Sequence, residues 1–279
     1  CDQIYTMDLA TGDTALVSTG EGRTTCSYFF PDGDRILYSS THHVSPACPP
    51  RPDYSRGYVW PVYRDYDIFV TEPATGGLVQ LTDTPGYDAE ATISPLGDRM
   101  VFTSVRDGDL DLYSMNLDGS DVTRLTRVVG YDGGAFFSPD GSKVVWRAHY
   151  PQTEEAVRDY RELLGEGLIR PTTLEIMVMN ADGTDQRQLT RNGAANFAPF
   201  WHPSGKKVLY ASNVADPEGR DFDLYMIGLD GADPERVTWA EDFDGFPVFS
   251  PDGRWLVWGS NRNPSHEGNT NIFIAEWVE

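Results

Sequence analysis

The sequence contains almost no lysine: of its 22 basic residues only Lys143, Lys206 and Lys207 are lysines, and the others are arginines. The 43 acidic residues outnumber the basic ones and give a formal net charge of −21. Nucleic acids and anionic membrane surfaces are bound through clusters of Lys and Arg, so this composition argues against both as partners. The acidity alone is consistent with solubility and does not define a site.

Other common signals are also missing. No run of 18 apolar residues occurs, which argues against a transmembrane helix in this sequence. We expect no signal peptide within it, because a strand-like pattern already begins at Gln3. The motifs G-x-S-x-G, P-loop and H-E-x-x-H are absent, so the sequence predicts no nucleophile elbow, phosphate-binding loop or zincin site.

What the sequence does contain is a repeat. Five times an aromatic or apolar residue leads into a Pro-x-Gly turn followed at once by an apolar run, and the copies begin at Phe29, Ile93, Phe137, Trp201 and Phe249. Period-2 alternation with Gly-containing turns predicts antiparallel meanders of four strands. Self-similarity at roughly 40 to 50 residues is typical of propeller blades. The predicted fold is therefore an all-β propeller of four-stranded antiparallel blades.

We interpret residues 1–279 as a single propeller domain. Third-strand signals occur six times and the other strand types five times each, which favours six blades, with the first and last incomplete. The blades would lie near residues 1–20, 21–84, 85–128, 129–192, 193–240 and 241–279. An upstream stretch of roughly 35 to 45 residues would complete the ring. The alternative is a five-bladed ring with a leftover strand at the N-terminus.

Two insertions, residues 41–66 and 149–173, separate second from third strands. Such connections leave a propeller on one side, so we expect both insertions on one face. The second contains a helix that Thr153 can cap and that Gly165 or Gly167 ends. The first is rich in aromatic residues suited to anchoring a partner, although they could equally pack over the blade beneath. These aromatic residues are Tyr54, Tyr58, Trp60, Tyr63 and Tyr66.

Polar residues recur where each first strand begins. Alignment of the repeats places Thr24, Asp88, Asp132, Asn196 and Asp244 at this position. Equivalent positions of a closed ring converge on its channel, so with Glu90 they would form a ligand-binding mouth. It would suit Ca²⁺, held by Asp88, Asp132 and Asp244, or a cationic segment of a partner. Alternatively, these side chains simply bond the backbone at the turn into each strand.

The acidic residue that starts several third strands has a structural interpretation. Asp67, Asp111 and Asp223 can accept hydrogen bonds from the preceding loop and fix the register of each blade.

The three cysteines, Cys1, Cys26 and Cys48, all lie in the first fifth of the chain. In an exported protein an odd number fits one disulfide and one remaining thiol. Cys48 lies in a loop long enough to reach Cys1, so we predict a disulfide between Cys1 and Cys48. Reduced thiols in a cytosolic protein are the alternative.

A family resemblance rests on these repeats. The run SPDGSKVVW, the series Ser104-x-Arg106-x-Gly108 and Asp111-Leu112-Tyr113, and the Leu-Thr endings resemble the WD40-like PD40 repeat of TolB-type β-propellers. The resemblance implies a periplasmic or extracellular protein with a binding or scaffolding role. We therefore expect a protein or peptide partner on the face that carries the insertions, with Arg147 and His149 contributing, and no obligatory cofactor.

Enzyme-related alternatives stay open, because propellers support many functions. Oligogalacturonate lyase, a TolB-like propeller in the broad sense, uses a His-bound metal for β-elimination on acidic sugars. His42, His43 and His149 would be the candidates here, but they show no ligand spacing and the acidity would repel a polyuronate. The chain could also be the accessory propeller of a larger peptidase or amidohydrolase.

Overall fold

The computed structural model describes residues 1–264, 266 and 268–278. The chain divides into two compact units: residues 1–133 with 150–170, and residues 134–149 with 171–279. We call them the first and second units. The assignment of residues 1–279 to one domain stays a prediction, and residues 265, 267 and 279 of its last repeat lie outside the described residues.

The described residues form short strands and one α-helix. Up to residue 137 the strands are β1 (Tyr5–Met7), β2 (Thr14–Leu16), β3 (Thr24–Phe29), β4 (Ile36–Ser40), β5 (Trp60–Pro61), β6 (Asp67–Glu72), β7 (Gly77–Gln80), β8 (Asp88–Ile93), β9 (Arg99–Ser104), β10 (Asp111–Asn116), β11 (Thr123–Arg124) and β12 (Tyr131–Phe137). The rest are β13 (Lys143–His149), β14 (Leu168–Ile169), β15 (Glu175–Asn180), β16 (Arg187–Gln188), β17 (Asn196–Trp201), β18 (Lys207–Ser212), β19 (Asp223–Gly228), β20 (Glu235–Arg236), β21 (Asp244–Phe249), β22 (Trp255–Ser260) and β23 (Asn271–Glu276). The α-helix, α1, spans Glu154–Gly165, and a 3₁₀ helix spans Tyr54–Arg56.

The helix matches its prediction. Thr153 caps α1 by accepting the amide hydrogen of Ala156 at 3.1 Å, and the helix ends at Gly165. Tyr160 and Leu163 are its buried residues. In the described part of the chain, no helix combines the length and the apolar composition needed to cross a bilayer.

The first unit contains two four-stranded sheets, β3-β4-β6-β7 and β8-β9-β10-β11, and two-stranded pairs formed by β1 with β2 and by β5 with β14. Alternating apolar residues of the two larger sheets form one core. Its fully buried members include Leu37, Ile68, Ile93, Met100 and Phe102. Sheet-to-sheet packing of these side chains holds the unit together.

The second unit contains β17-β18-β19-β20, β21-β22-β23 and most of the sheet β12-β13-β15-β16. Strand β12 begins in the first unit at Tyr131 and continues into the second. The second core includes Val145, Ile176, Val208 and Tyr210, all fully buried. Each four-stranded sheet is an antiparallel meander, as the repeat predicts.

The predicted number of six blades is wrong. The described residues form five blade-type sheets, of which the last, β21-β22-β23, has three strands. Residues 1–20, the predicted first blade, form only the β1–β2 pair, with Tyr5, Met7 and Leu16 exposed. This segment supplies third- and fourth-strand equivalents without the inner strands, so it has no buried face on which to build a blade.

A buried acid–threonine pair joins the third and fourth strands, and we call it the strand lock. In one copy Thr126 donates its hydroxyl to Asp111 at 3.2 Å and accepts the amide hydrogen of Leu112 at 2.9 Å. Arg124 donates to the same carboxylate at 2.6 Å. The lock recurs as Asp67 with Thr82, Glu175 with Thr190 and Asp223 with Thr238. Each threonine lies two residues after the end of the fourth strand and not in the preceding loop, where the sequence predicts the donors. The structural interpretation of these acids agrees with the bonds that they accept.

Every first strand carries one residue in the left-handed backbone region. These residues are Cys26, Glu90, Gly134, Ala198 and Phe246, with φ between 48° and 59°. In four of the sheets the pairing with the second strand changes register around this residue, which is a β-bulge. Glycine tolerates this conformation freely, whereas the other residue types pay for it in backbone strain.

The Asp of the Pro-Asp-Gly turns accepts several hydrogen bonds. Asp140 accepts from the Ser138 hydroxyl at 2.6 Å and from the amide and hydroxyl of Ser142 at 3.0 and 2.8 Å. These bonds lower the pKa of Asp140 to about 2. In the copy that begins at Ile93 this position is Leu96, which is 64% exposed and cannot accept them.

If the strand lock stabilises the sheets, Thr126→Val should lower the unfolding free energy of the chain. Valine keeps the shape but leaves the buried Leu112 amide without its acceptor and removes a donor from Asp111, so we expect a loss of about 2 kcal/mol in unfolding free energy. Urea unfolding of the purified chain measures it. Thr123→Val changes an exposed threonine of β11, three residues before Thr126, and is the control. Equal losses in both variants would contradict the lock.

The hydrogen bonds of Asp140 lead us to expect that Leu96→Asp, at the equivalent turn position, stabilises the chain. At about pH 7 the new carboxylate should add roughly 0.5 kcal/mol, a small gain because water screens an exposed acceptor. A carboxyl with a depressed folded pKa contributes its stability above the unfolded pKa and loses it as the pH falls toward the folded value. The gain should therefore fade between about pH 4 and pH 2. Paired urea titrations of variant and wild type test this, and a pH-independent difference would refute it.

Candidate binding surface

Both insertions belong to the first unit, where they form one substructure. The first leaves the sheet after β4 and the second after β13, yet β5 and β14 pair, with Trp60 opposite Ile169 and Pro61 opposite Leu168. The amide of Val62 extends the pairing by donating to Gly167 at 2.7 Å. We call residues 41–66 and 150–170 together the insertion surface.

Apolar and polar contacts hold the two insertions together. Val59, Leu163 and Leu168 form a small buried cluster. On the outside, Arg56 pairs with Glu166 at 2.9 Å, a half-exposed ion pair that adds little stability by itself. Arg64 donates to the carbonyl of Gly165 at 3.1 Å, at the end of α1 where the helix dipole favours a cation. The substructure is therefore ordered by its own contacts.

Tyr160 anchors α1 to the sheet beneath. Its hydroxyl donates to Asp109 Oδ1 at 2.5 Å and lies 2.7 Å from the carbonyl oxygen of Gly130. Burial, reinforced by the Asp109 carboxylate, raises the pKa of Tyr160 and keeps the phenol protonated as a donor. Asp109 also accepts the amide of Gly130 at 3.1 Å. One acidic side chain thus holds both the helix and the loop before β12.

A pocket of about 370 Å³ opens between the two insertions. Its walls are Pro50, Arg51, Pro52, Asp53, Pro61, Val62, Tyr63, Arg64, Gly165, Glu166, Gly167 and Leu168. Arg51 is exposed and has no ion-pair partner among the described residues. Prolines and Tyr63 provide an apolar floor, and Arg51, Arg64 and Glu166 provide charges of both signs. The lining therefore combines apolar and charged groups.

The five predicted aromatic residues differ in exposure. Tyr54 and Tyr58 are 58% and 57% exposed, and the Tyr58 hydroxyl accepts a hydrogen bond from Trp60 at 3.1 Å. Tyr63 is half-buried and donates to the carbonyl of Pro50 at 3.1 Å. Tyr66 is buried and packs edge-on against Tyr87, with ring centroids 5.9 Å apart. Tyr54 and Tyr58 are therefore accessible on the surface, whereas Tyr66 belongs to the core.

Three of the predicted channel-mouth acids are buried and bonded to a side chain 18 positions downstream. Asp88 accepts from Arg106 at 2.9 and 3.1 Å, and Asp132 accepts from the Tyr150 hydroxyl at 2.7 Å. Asp244 pairs with Arg262. Burial raises the pKa of Asp88, against the opposing effects of Ser104 and Arg106. The constant spacing of 18 residues is a signal that could have revealed these pairs from the sequence.

The other predicted mouth residues also have partners within their own unit. Thr24 donates to the carbonyl of Asp2 at 2.9 Å, and Glu90 accepts from Thr103 at 3.0 Å. Asn196 donates to the carbonyl of Leu174 at 2.8 Å and accepts from Ser212 at 2.7 Å. Among the described residues no group of three His, Cys, Asp or Glu could hold a metal ion. The ligand-binding mouth and its calcium stay predictions.

The histidines of the first insertion contact the sheet. His42 packs on Phe69, with ring centroids 4.4 Å apart, and lies 2.8 Å from the Ser40 hydroxyl. Burial lowers the pKa of His42. His43 Nε2 lies 2.9 Å from Asp67 Oδ2, so it joins a strand lock.

Arg147 and His149 lie in the second unit, on β13. Arg147 is buried next to Gly134, where a Cβ would collide with the guanidinium. His149 Nδ1 lies 2.7 Å from the carbonyl oxygen of Thr173. The part assigned to these residues on a partner face stays a prediction.

The structure joins Cys1 and Cys48 in a disulfide, with Cα atoms 5.6 Å apart. That separation lies within the range of protein disulfides. Cys26, at the first bulge, is exposed, and its sulfur lies 3.1 Å from the Thr25 hydroxyl. The disulfide ties the N-terminus to the first insertion.

No family model matches the chain. An uncharacterized protein of Agrobacterium fabrum is 31% identical over 87 residues, which cover 31% of this chain and 28% of that protein. The Tol-Pal system protein TolB of Alcanivorax borkumensis is 29% identical over 83 residues, which cover 30% of this chain and 18% of that protein. The matches thus span less than a third of either relative.

Solved structures resemble the chain over nearly its whole length. TolB from Acinetobacter baumannii superposes with a TM-score of 0.68 at 20% identity, over 98% of this chain and 57% of that one. Oligogalacturonate lyase from Vibrio parahaemolyticus gives a TM-score of 0.50 at 15% identity, over 99% of this chain and 84% of that one. At these identities the likeness shows the fold alone. The chain has a TolB-like β-propeller fold.

The anchoring role of Tyr160 predicts that Tyr160→Phe loosens the insertion surface. Loss of the buried hydroxyl should cost about 1 to 2 kcal/mol in unfolding free energy, because the Asp109 carboxylate loses its donor. Urea unfolding gives the cost, and limited proteolysis within residues 150–170 shows whether it is local. Tyr54→Phe removes an exposed hydroxyl and is the matched control. Indistinguishable stability and cleavage in the two variants would contradict the anchor.

Proposed function

We propose that this chain is the propeller of an exported protein and that it binds a protein or peptide partner through the insertion surface. The observation that carries the proposal is the pairing of β5 with β14, which brings two insertions from different sheets into one substructure. The sheets β8-β9-β10-β11 and β17-β18-β19-β20 form without such an insertion. The two insertions form an ordered substructure with its own pocket, and binding of a partner is the best explanation for it.

The chemistry of the surface supports a protein or peptide ligand. Tyr54 and Tyr58 present large exposed rings on an ordered loop, and tyrosine is enriched among residues that dominate binding energy. Arg51, exposed at the pocket, adds a donor suited to carboxylates. The surface thus combines apolar anchors with orienting charges, as interface centres commonly do.

Two observations support export. Disulfides form and persist in the periplasm and outside the cell, and Cys1 and Cys48 are joined. Part of the sequence is similar to a protein named as the Tol-Pal system protein TolB, and the fold is similar to that of a solved TolB structure. A periplasmic or extracellular location fits both.

The alternative, a metal-assisted lyase, gains no support from the contacts of the candidate histidines. His42 and His43 bond Ser40 and Asp67 of their own sheet, and the His149 ring bonds the backbone of Thr173. We therefore propose the binding role alone.

The experiment compares capture of envelope proteins by three forms of the purified chain. The double variant Tyr54→Ala/Tyr58→Ala removes both exposed anchors, and we expect at least about a tenfold weaker retention of the partner, since hot-spot tyrosines contribute 2 kcal/mol or more. Leu78→Ala/Val79→Ala removes two exposed apolar residues of β7 in the same unit and should bind like wild type. Equal retention by all three forms, or no saturable partner, would contradict the proposal.

A further inference from the structure

Phe246 combines two unfavourable features in the second unit. It sits at the bulge of β21 with φ of 57°, a conformation that a bulky side chain rarely adopts, and it is 58% exposed. The same bulge position holds Cys26, Glu90, Gly134 and Ala198 in the other sheets. The fold therefore does not require an aromatic ring here. Strained residues of this kind cluster at binding sites.

Phe246 is the exposed member of a four-ring cluster. Its ring centroid lies 5.6 Å from that of Phe197 and 5.9 Å from that of Phe243. Phe222 lies 6.0 Å from Phe243 and 5.1 Å from Phe197, centroid to centroid. A Cβ on Gly245 would come within 2.4 Å of the Phe243 ring, so glycine is what leaves room for it. The four phenylalanine rings therefore pack against one another as one cluster.

Carboxylates alternate with these rings along the chain. Asp221 precedes Phe222, and Asp242 and Asp244 flank Phe243. Backbone bonds bring the two segments together: the amide of Phe222 donates to the Asp242 carbonyl and the amide of Asp244 to the Phe222 carbonyl, each at 2.7 Å. The two segments that carry these acidic and aromatic residues therefore lie side by side, and we call Asp221, Phe222, Asp242, Phe243 and Phe246 together the Phe246 surface.

Two buried carboxylate oxygens at this surface lack hydrogen-bond partners among the described residues. Asp244 is fully buried and pairs with Arg262 through Oδ2 only, which leaves Oδ1 without a donor. Oδ1 of Asp221 is also buried without a donor. Buried acceptors without donors are rare in folded proteins and cost stability. A donor that reached either oxygen would therefore stabilise it.

The first unit shows how such a position is satisfied. Asp109 stands two residues before the strand-lock Asp111, as Asp221 stands two residues before Asp223. Asp109 Oδ1 accepts the Tyr160 hydroxyl from α1. Tyr160 comes from the connection after the second strand of the following sheet, and its counterpart in the second unit is the connection after β22. None of the described residues donates to Asp221 Oδ1, so this oxygen has no counterpart of the Tyr160 hydroxyl among them.

We propose that the Phe246 surface binds the guanidinium group of an arginine in a partner's peptide segment. A guanidinium stacks on aromatic faces and donates to carboxylates with the same planar group. A net charge of −21 would attract a basic segment over a distance. This site is separate from the insertion surface and stands independently of the function proposed above.

The test titrates the chain with a fluorescein-labelled peptide of alternating Arg and Gly and follows fluorescence anisotropy at about physiological salt. The same peptide with citrulline in place of Arg keeps the shape and loses the charge. We expect saturable binding of the Arg peptide and none of the citrulline peptide. Phe246→Ala and Phe246→Leu should each raise the dissociation constant of the Arg peptide roughly five- to thirtyfold. Asp221→Asn should raise it about tenfold. Phe246→Tyr keeps an aromatic ring and should bind like wild type.

Two matched variants separate this site from general attraction to an acidic protein. Phe29→Ala removes an aromatic residue of similar exposure in the first unit, and Asp233→Asn removes an exposed charge in the second. Both should bind like wild type, and all variants should share its melting temperature. The proposal is overturned if the wild type binds neither peptide, or binds both equally well. It is also overturned if Phe246→Leu binds the Arg peptide like wild type. The same holds if Phe29→Ala weakens binding as much as Phe246→Ala, or Asp233→Asn as much as Asp221→Asn.

Discussion

The strand lock is the interaction on which the four-stranded sheets depend. A fourth strand such as β11 is only two residues long and cannot hold its place through ladder bonds alone. Thr126 solves this by donating to Asp111 and accepting from the Leu112 amide, which ties the outer strand to the start of its neighbour. Both partners are fully buried, so neither bond competes with water. The Leu-Thr endings of the repeat follow from this requirement.

The same lock sets where the insertions return to the sheets. The first insertion ends at Tyr66, directly before Asp67, and the second re-enters its sheet at Glu175. Two residues before Asp111, Asp109 receives Tyr160 and thereby positions α1. The second insertion is therefore anchored two residues away from a strand lock. Both insertions are additions to a four-stranded repeat that forms elsewhere in the chain without them.

The sequence predicts the strands and the helix well because their signals are local. Pro-x-Gly turns, alternation and the Thr153 cap act over a few residues. It does not predict that β5 and β14 pair, because two-residue strands such as Trp60–Pro61 have no alternation to detect. Nor does it predict the bulge at Phe246, where backbone strain breaks the usual preference. The count of six blades failed because residues 1–20 carry strand patterns without a core-facing partner.

Hydrogen exchange tests the lock most directly. The amides of Ile68, Leu112, Ile176 and Leu224 donate to lock threonines at 2.8 to 2.9 Å. If the lock holds the sheets, these four amides should exchange only through global unfolding, with the slow rates of the central strands. Fast exchange at these amides while the central strands stay protected would show that the sheets do not depend on the lock.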